Sequence, residues 1–199
     1  MSIVIGWSSA SALQIRNLYE CRALAHGGPM TIPYRGTTGD ATYFVTASTF
    51  QKKALLQSER MATLFIETLI GYRDQQKYDL HEFVVMPDHF HLLITPIVSL
   101  ERALQFIKGG SSFRAGKAFG VHGLWQTSFY DRRVRNAPEY DAFRRYIHRN
   151  PVKRGLASSV EQYVYSSASG KFEMDTVPQR LKPPSGQESK RSAEALLHP

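Results

Sequence analysis

Two short apolar runs, Asp79 to Met86 and His89 to Thr95, stand back to back with only Pro87-Asp88 between them. Proline followed by aspartate is a turn signal, and runs this short, rich in Val, Phe, Leu and Ile, are strands by length and composition. The pair predicts a β-hairpin. Its second arm, His89-Phe90-His91-Leu92-Leu93-Ile94-Thr95, sets a further condition. Side chains alternate along a strand, so Phe90, Leu92 and Ile94 share one face while His89 and His91 share the other. The apolar face must lie under helices. The histidine face needs its own cover.

The flanking segments supply both. Ala41 to Phe50 (ATYFVTASTF) is rich in β-branched and aromatic residues and reads as a strand. From Ser58 to Gln75, apolar residues at Met61, Leu64, Phe65, Leu69 and Tyr72 form the stripe of an amphipathic helix, with Ser58 as its N-cap. Residues 100 to 118 read as a second helix with Leu100, Ala103, Leu104 and Ile107 on one face, weakened or interrupted at Gly109-Gly110. A strand from about Leu124 to Arg135 follows. Asn136 then caps a third helix, with Pro138 in its first turn, that is expected to stop at Asn150-Pro151. The order β-α-β-β-α-β is that of the split βαβ, ferredoxin-like sandwich, an α+β fold in which two helices cover one face of a four-stranded antiparallel sheet. The third helix is left over for the histidine face, and the site is expected between them.

Length allows one such domain. The chain has 199 residues, and the pattern places the folded domain at 41–168. Residues 1–40 read as an extension, partly disordered or the product of a mis-assigned start; Met30 offers an alternative start that would leave the first 29 residues untranslated. A helix over Ala12 to Ala25 is the one element they suggest. Residues 169–199, with Pro178, Pro183, Pro184 and Pro199 among polar residues, read as a flexible tail. The single cysteine, Cys21, excludes an intrachain disulfide and a cysteine-based zinc site. No apolar run approaches the roughly 20 residues that span a bilayer. A cytoplasmic, nucleoid-associated protein with no membrane partner is the expectation.

The formal net charge is +8, which by itself is a weak pointer to a polyanion. Its distribution says more. Between Arg102 and Arg154 stand twelve basic residues (Arg102, Lys108, Arg114, Lys117, Arg132, Arg133, Arg135, Arg144, Arg145, Arg149, Lys153 and Arg154) against three acidic ones. Trp125, Phe129, Tyr130 and Tyr140 are interleaved with them. Aromatics among cations suit stacked bases and a neutralised backbone, as in single-stranded nucleic acid binding. They suit a core with a solvated face equally well. His89 and His91, at i and i+2, start roughly 6 to 7 Å apart, which suits either a buried strand or two ligands converging on one divalent ion. Tyr146 and Asn150, at i and i+4, share one stripe of the third helix, beside the packing stripe of Tyr140, Phe143 and Ile147. An amide oxygen such as that of Asn150 suits a hard metal ion.

Together these residues resemble a family, the HUH single-tyrosine transposases, and within it the REP-associated tyrosine transposases, or RAYTs. The likeness rests on three motifs in order: Met86-Pro87-Asp88-His89-Phe90-His91-Leu92-Leu93; then Leu124-Trp125-Gln126 with Phe129-Tyr130-Asp131 and Arg135-Asn136; then Tyr146-Ile147-His148-Arg149-Asn150-Pro151-Val152-Lys153-Arg154-Gly155-Leu156. The resemblance implies that His89, His91 and Asn150 bind Mg2+ or Mn2+ and that Tyr146 is the catalytic nucleophile. Insertion-sequence members carry Gln where this chain has Asn150, so the last ligand agrees with the RAYT branch. The implied activity is cleavage and strand transfer of single-stranded DNA at hairpin-forming palindromes through a 5′-phosphotyrosine link. The alternative is a binder of hairpin DNA or RNA that has lost the chemistry. Tyr130 and Tyr140 are rival nucleophiles. The DNA-gripping residues implied are Arg102, Lys108, Arg114, Lys117, Arg132, Arg133, Arg144, Arg145, Arg149, Lys153 and Arg154, and the protein is expected as a monomer or homodimer.

Overall fold

The computed structural model describes residues 41–182. The expectations for residues 1–40, including the helix over Ala12 to Ala25 and the alternative start, lie outside the described residues, as does the tail from 183 onward. Within the described range the order is β1 (Tyr43–Ser48), α1 (Glu59–Asp74), β2 (Tyr78–Met86), β3 (His89–Pro96), α2 (Leu100–Phe119), β4 (Tyr130–Arg133) and α3 (Ala137–Lys153). The strands form one antiparallel sheet in the order β2-β3-β1-β4. This is the split βαβ, ferredoxin-like arrangement, with α3 added.

The helices begin where side-chain oxygens meet their first N–H groups. Ser58 accepts from Met61 N–H, Ser99 from Arg102 N–H and Asn136 from Glu139 N–H, each satisfying a donor with no partner inside the helix. Gly120, at φ 67°, ends α2 in the left-handed conformation glycine adopts without penalty. Phe90, Leu92 and Ile94 pack with Phe65, Leu69, Leu104 and Ile107 in one core beneath α1 and α2. On the other face Phe44, Val84, Met86 and Leu93 pack with Tyr140 and Ile147 of α3. β3 is therefore buried along its whole length.

Gly109-Gly110 do not interrupt α2, which runs unbroken for 20 residues. Gly110 lies where Tyr72 of α1 crosses: a Cβ there would sit 2.5 Å from Tyr72 Cε2, whereas one on Gly109 would meet nothing within 4 Å. The expected strand from Leu124 to Arg135 shrinks to its last residues. Leu124 and Trp125 turn inward instead, Trp125 against Phe65 and Phe90 with its Nε1–H donating to Ser111 Oγ at 2.9 Å. The carbonyls of Gln126, Thr127 and Ser128 accept from Lys108 Nζ rather than from a strand. α3 also runs past its expected stop. Pro151 sits in the final turn and removes one N–H, and Arg154 N–H still reaches the Asn150 carbonyl at 3.1 Å.

The tail expected from residue 169 differs most from the structure. β2 is an edge strand, and the chain from 163 to 182 runs along it. Val85 N–H donates to the Tyr165 carbonyl and Phe83 N–H to Ser167 Oγ. Phe172 packs edge-on against Phe83, with ring centroids 5.1 Å apart. Asp175 Oδ2 accepts from both Leu80 N–H, at 2.7 Å, and Arg73 Nε, at 3.0 Å. Leu181 is buried with the α3-side core. A few anchors hold a segment whose composition reads as disordered, and they protect an edge that would otherwise present unpaired backbone groups.

Gly110→Ala should lower stability by about 1–3 kcal/mol through overpacking against Tyr72, while Gly109→Ala should raise it by about 0.5–1 kcal/mol. Urea midpoints of the two variants should move in opposite directions. Ending the chain after Gly170 should cost about 3 kcal/mol or more, since Phe172 and Leu181 each bury a large apolar side chain; an unchanged midpoint would show the segment to be dispensable.

Candidate active site

His89 and His91 lie on the α3 face of β3, almost entirely buried, with ring centroids 4.7 Å apart. The register sets Thr46 opposite His91 and Ser48 opposite His89. Thr46 Oγ1 is 2.7 Å from His91 Nδ1, and Phe44 stacks on the His91 ring at 5.4 Å. His91 Nε2 is buried without a hydrogen-bond partner. Burial, with repulsion from His89 and Arg154 added, holds His91 well below the usual imidazole range, so the ring is neutral at pH 7. With its proton on Nδ1, shared with Thr46, the Nε2 lone pair is available as a ligand.

Asp88 Oδ1 is 2.6 Å from His89 Nδ1. Burial works to raise the Asp88 pKa, but the hydrogen bond and charge of His89, together with Arg154, outweigh it and hold the carboxyl below its ordinary range. A carboxylate on the far nitrogen of an imidazole is the usual way a metal-binding histidine is oriented. Asp88 thus does more than make the turn that its place after Pro87 suggests. Among the described residues no three His, Cys, Asp or Glu side chains come together to hold a metal ion. Two imidazoles with an amide, as from Asn150, would still suit a divalent cation that keeps several waters.

α3 brings the tyrosine to this pair. The Tyr146 ring lies 5.1 Å from His91 and 5.8 Å from Phe44, edge-on to both. Asn150, one turn further, is buried. Phe143 stacks on Phe44 at 4.4 Å, nearly parallel, and seats the helix. A second fastening is absent from the sequence reading: Glu82 Oε2 is 2.7 Å from His148 Nε2 and accepts from Ser167 Oγ at 2.6 Å. Glu82 stands at the β-bulge between β2 and β3, so one carboxylate ties α3 and the 163–182 segment to the same edge. The rival tyrosines are placed differently. Tyr140 is buried, and burial with Glu82 pushes its hydroxyl pKa up. Tyr130 stands on β4, where it is 46% exposed.

The basic residues differ in how far they are engaged. Lys108 is clamped by three carbonyls, its pKa lowered by burial. Arg114 is bound to Glu67, Thr68 and the Leu64 carbonyl of α1. Both are hydrogen-bonded within the fold. Arg132 pairs with Glu139 and lies over Phe143, and Arg144 pairs with Asp141. Arg102, Lys117, Arg133, Arg145, Arg149, Lys153 and Arg154 are exposed. Of these, Lys153 Nζ lies 5.8 Å from the Tyr146 ring centroid, and Arg154 acts on both Asp88 and His91. The end of α3 therefore presents positive charge at the histidine pair.

Comparison with known proteins points the same way. The family model described as "Transposase IS200 like" matches residues 37–150, more than half of the chain. The REP-associated tyrosine transposase of Escherichia coli K12 is 24% identical over 127 residues, 63% of this chain and 75% of that one. Among solved structures, that of a REP-associated tyrosine transposase bound to a REP hairpin aligns with a TM-score of 0.56 at 23% identity, covering 75% of this chain and 91% of that one. At that identity the structural likeness is one of fold. Among the described residues no helix is long and apolar enough to cross a membrane.

Glu82→Ala should cost about 1–3 kcal/mol, because Ser167 Oγ and His148 lose a shared acceptor in a half-buried place. Hydrogen exchange should show α3 and residues 163–169 loosening together. Loss of protection confined to one of the two would disprove the shared fastening.

Proposed function

Since the chain belongs to the family of IS200-like transposases, we propose that it cleaves and transfers single-stranded DNA at hairpin-forming palindromes, using Tyr146 as nucleophile. The observation that carries this reading is the placement of the Tyr146 ring against His91, whose Nε2 is buried and unpartnered. The hairpin bound to the solved relative supports a substrate of that shape.

His89, His91 and Asn150 would hold a divalent cation such as Mg2+ or Mn2+. When bound, such an ion polarises a phosphodiester oxygen and favours departure of the 3′ oxygen. Everything else falls to the chain's own residues. Asp88 and Thr46 orient the imidazoles. The Phe143–Phe44 stack and the Glu82–His148 contact hold the helix that presents Tyr146. The Tyr146 hydroxyl loses its proton to solvent and its oxygen attacks phosphorus. A P–Oη bond forms as the P–O3′ bond breaks, and the departing oxygen takes up a proton to become a 3′-OH. The phosphodiester is exchanged rather than hydrolysed, so a second 3′-OH attacking the phosphotyrosine restores Tyr146 and joins the strands. Lys153 and Arg154, at the end of α3, would offset the charge of the phosphate. The exposed Arg102, Lys117, Arg133, Arg145 and Arg149 would meet the backbone further out, making affinity strongly salt-dependent.

The test is a denaturing-gel assay for a protein–DNA adduct, using labelled hairpin oligonucleotides with single-stranded flanks drawn from repeats around the gene. The adduct should need Mg2+ or Mn2+, vanish with EDTA, and be lost in Tyr146→Phe and in His91→Ala. Asp88→Asn should raise the metal concentration needed by about 10- to 100-fold. An adduct surviving in Tyr146→Phe moves the nucleophile elsewhere. Tight hairpin binding with no adduct under any condition makes the protein a binder without the chemistry.

A further inference from the structure

Two exposed aromatic rings, one beside the turn that precedes His89 and one on the sheet face of His89 and His91, are left unused by the preceding account. The first is Phe50. Phe44, Thr46 and Ser48 alternate onto this face: Phe44 packs with α3, Thr46 bonds His91, and Ser48 stands opposite His89. Phe50 follows two residues after Ser48, at the start of a short 3-10 turn (Phe50–Lys52) just past the end of β1, and is 47% exposed. The second is Tyr130, directly opposite Thr46 on β4, so that His91, Thr46 and Tyr130 form one cross-strand row. It is similarly exposed. Trp125 and Phe129 pack against the α1/α2 core, and Tyr140 of α3 is buried against the other face of the sheet.

Phe50 is held firmly although its ring is bare. Its N–H donates to the Leu124 carbonyl at 3.0 Å, and Thr49 bonds the Asp88 carbonyl through both its N–H and its Oγ1. The next two residues, Gln51 and Lys52, have φ of 55° and 54°. Consecutive non-glycine residues in the left-handed region are uncommon and cost energy that the surrounding structure must offset. Lys53 Nζ stands 6.0 Å from the Phe50 ring centroid, and Lys52 and Lys53 are both exposed. Asp88, which anchors this turn through its carbonyl, is the residue whose carboxylate orients His89. The shelf and the histidine pair thus share an anchor.

We propose that Phe50 and Tyr130 are stacking platforms for unpaired bases of a single strand threaded past His89 and His91, with Lys52 and Lys53 meeting the adjoining phosphates. The inference rests on the single-stranded DNA reading given above and adds the side chains that would grip bases next to the site. A flat ring accepts any base face, so this grip is tolerant of sequence. Two rings, one at the end of the His91–Thr46–Tyr130 row and one beside the turn before His89, would keep the strand extended and its backbone turned toward Tyr146.

Equilibrium binding reads this without requiring chemistry. The probe is a fluorescent hairpin oligonucleotide with single-stranded flanks, against the same hairpin whose flank nucleotides are abasic. Phe50→Ala and Tyr130→Ala should each weaken binding of the base-bearing probe about five-fold or more, the scale of one stacked base, and leave affinity for the abasic probe unchanged. Tyr130→Trp and Tyr130→Phe should restore what Tyr130→Ala loses, since they keep a ring. Equal losses on both probes, no loss on either, or failure of Tyr130→Phe to restore binding overturns the proposal. Because the readout is affinity, an absent adduct in wild type would sink the proposed chemistry while this comparison still gave its own answer.

Discussion

A strand covered on both faces leaves no water for polar side chains, and β3 carries two imidazoles into that position. Everything distinctive about the site answers this constraint. An isolated buried imidazole must shed its charge or find partners. His91 does both, neutral by burial and bonded through Nδ1 to Thr46, yet its Nε2 is left without a partner. A buried unsatisfied nitrogen costs about 1–3 kcal/mol. A core selected for stability alone would place an aliphatic residue there, as the apolar face of the same strand does at Phe90, Leu92 and Ile94.

The rest of the sheet follows from holding that strand in register. β1 supplies Thr46 to one imidazole and, through Thr49, fixes the carbonyl of Asp88, whose carboxylate steadies the other. β2 contributes through its bulge, which sets Glu82 where it meets both His148 of α3 and Ser167 of the segment covering the sheet edge. Tyr146 is therefore placed by aromatic stacking near the centre of the sheet and by a carboxylate at its edge. A helix fastened at two separated points resists rotation about its axis, the motion that would carry the Tyr146 ring away from His91.

What could be read from residues alone divides along physical lines. Local signals were legible: the Pro87-Asp88 turn, the caps at Ser58 and Asn136, and the alternation that separates His89 and His91 from Phe90. Each depends on residues within a few positions of one another. The long-range partners were not, because nothing in the local pattern says that Thr46 stands across from His91 or that Glu82 meets His148 across 66 positions. Proline and lysine around 178–182 read as a tail because composition averages over residues, whereas Phe172, Asp175 and Leu181 anchor the segment singly. The carbonyl partners of Arg114 and Lys108 were equally out of reach, because charge can be counted from sequence and the groups that meet it across the fold cannot.

That redistribution of charge changes how a polyanion would be met. Lys108 and Arg114 are hydrogen-bonded within the fold and Arg132 and Arg144 pair with carboxylates, while Arg154 acts on His91 and Asp88 and Lys153 lies near Tyr146. Lys153 and Arg154 follow Pro151, and they lie within reach of Tyr146, Asp88 and His91 because α3 continues through the proline instead of stopping before it. Had the helix ended at Asn150, the chain would have left the site there and carried both cations with it. The proline in the last turn omits one backbone hydrogen bond, and the same turn keeps Asn150 buried and sets two positive charges near Tyr146, Asp88 and His91.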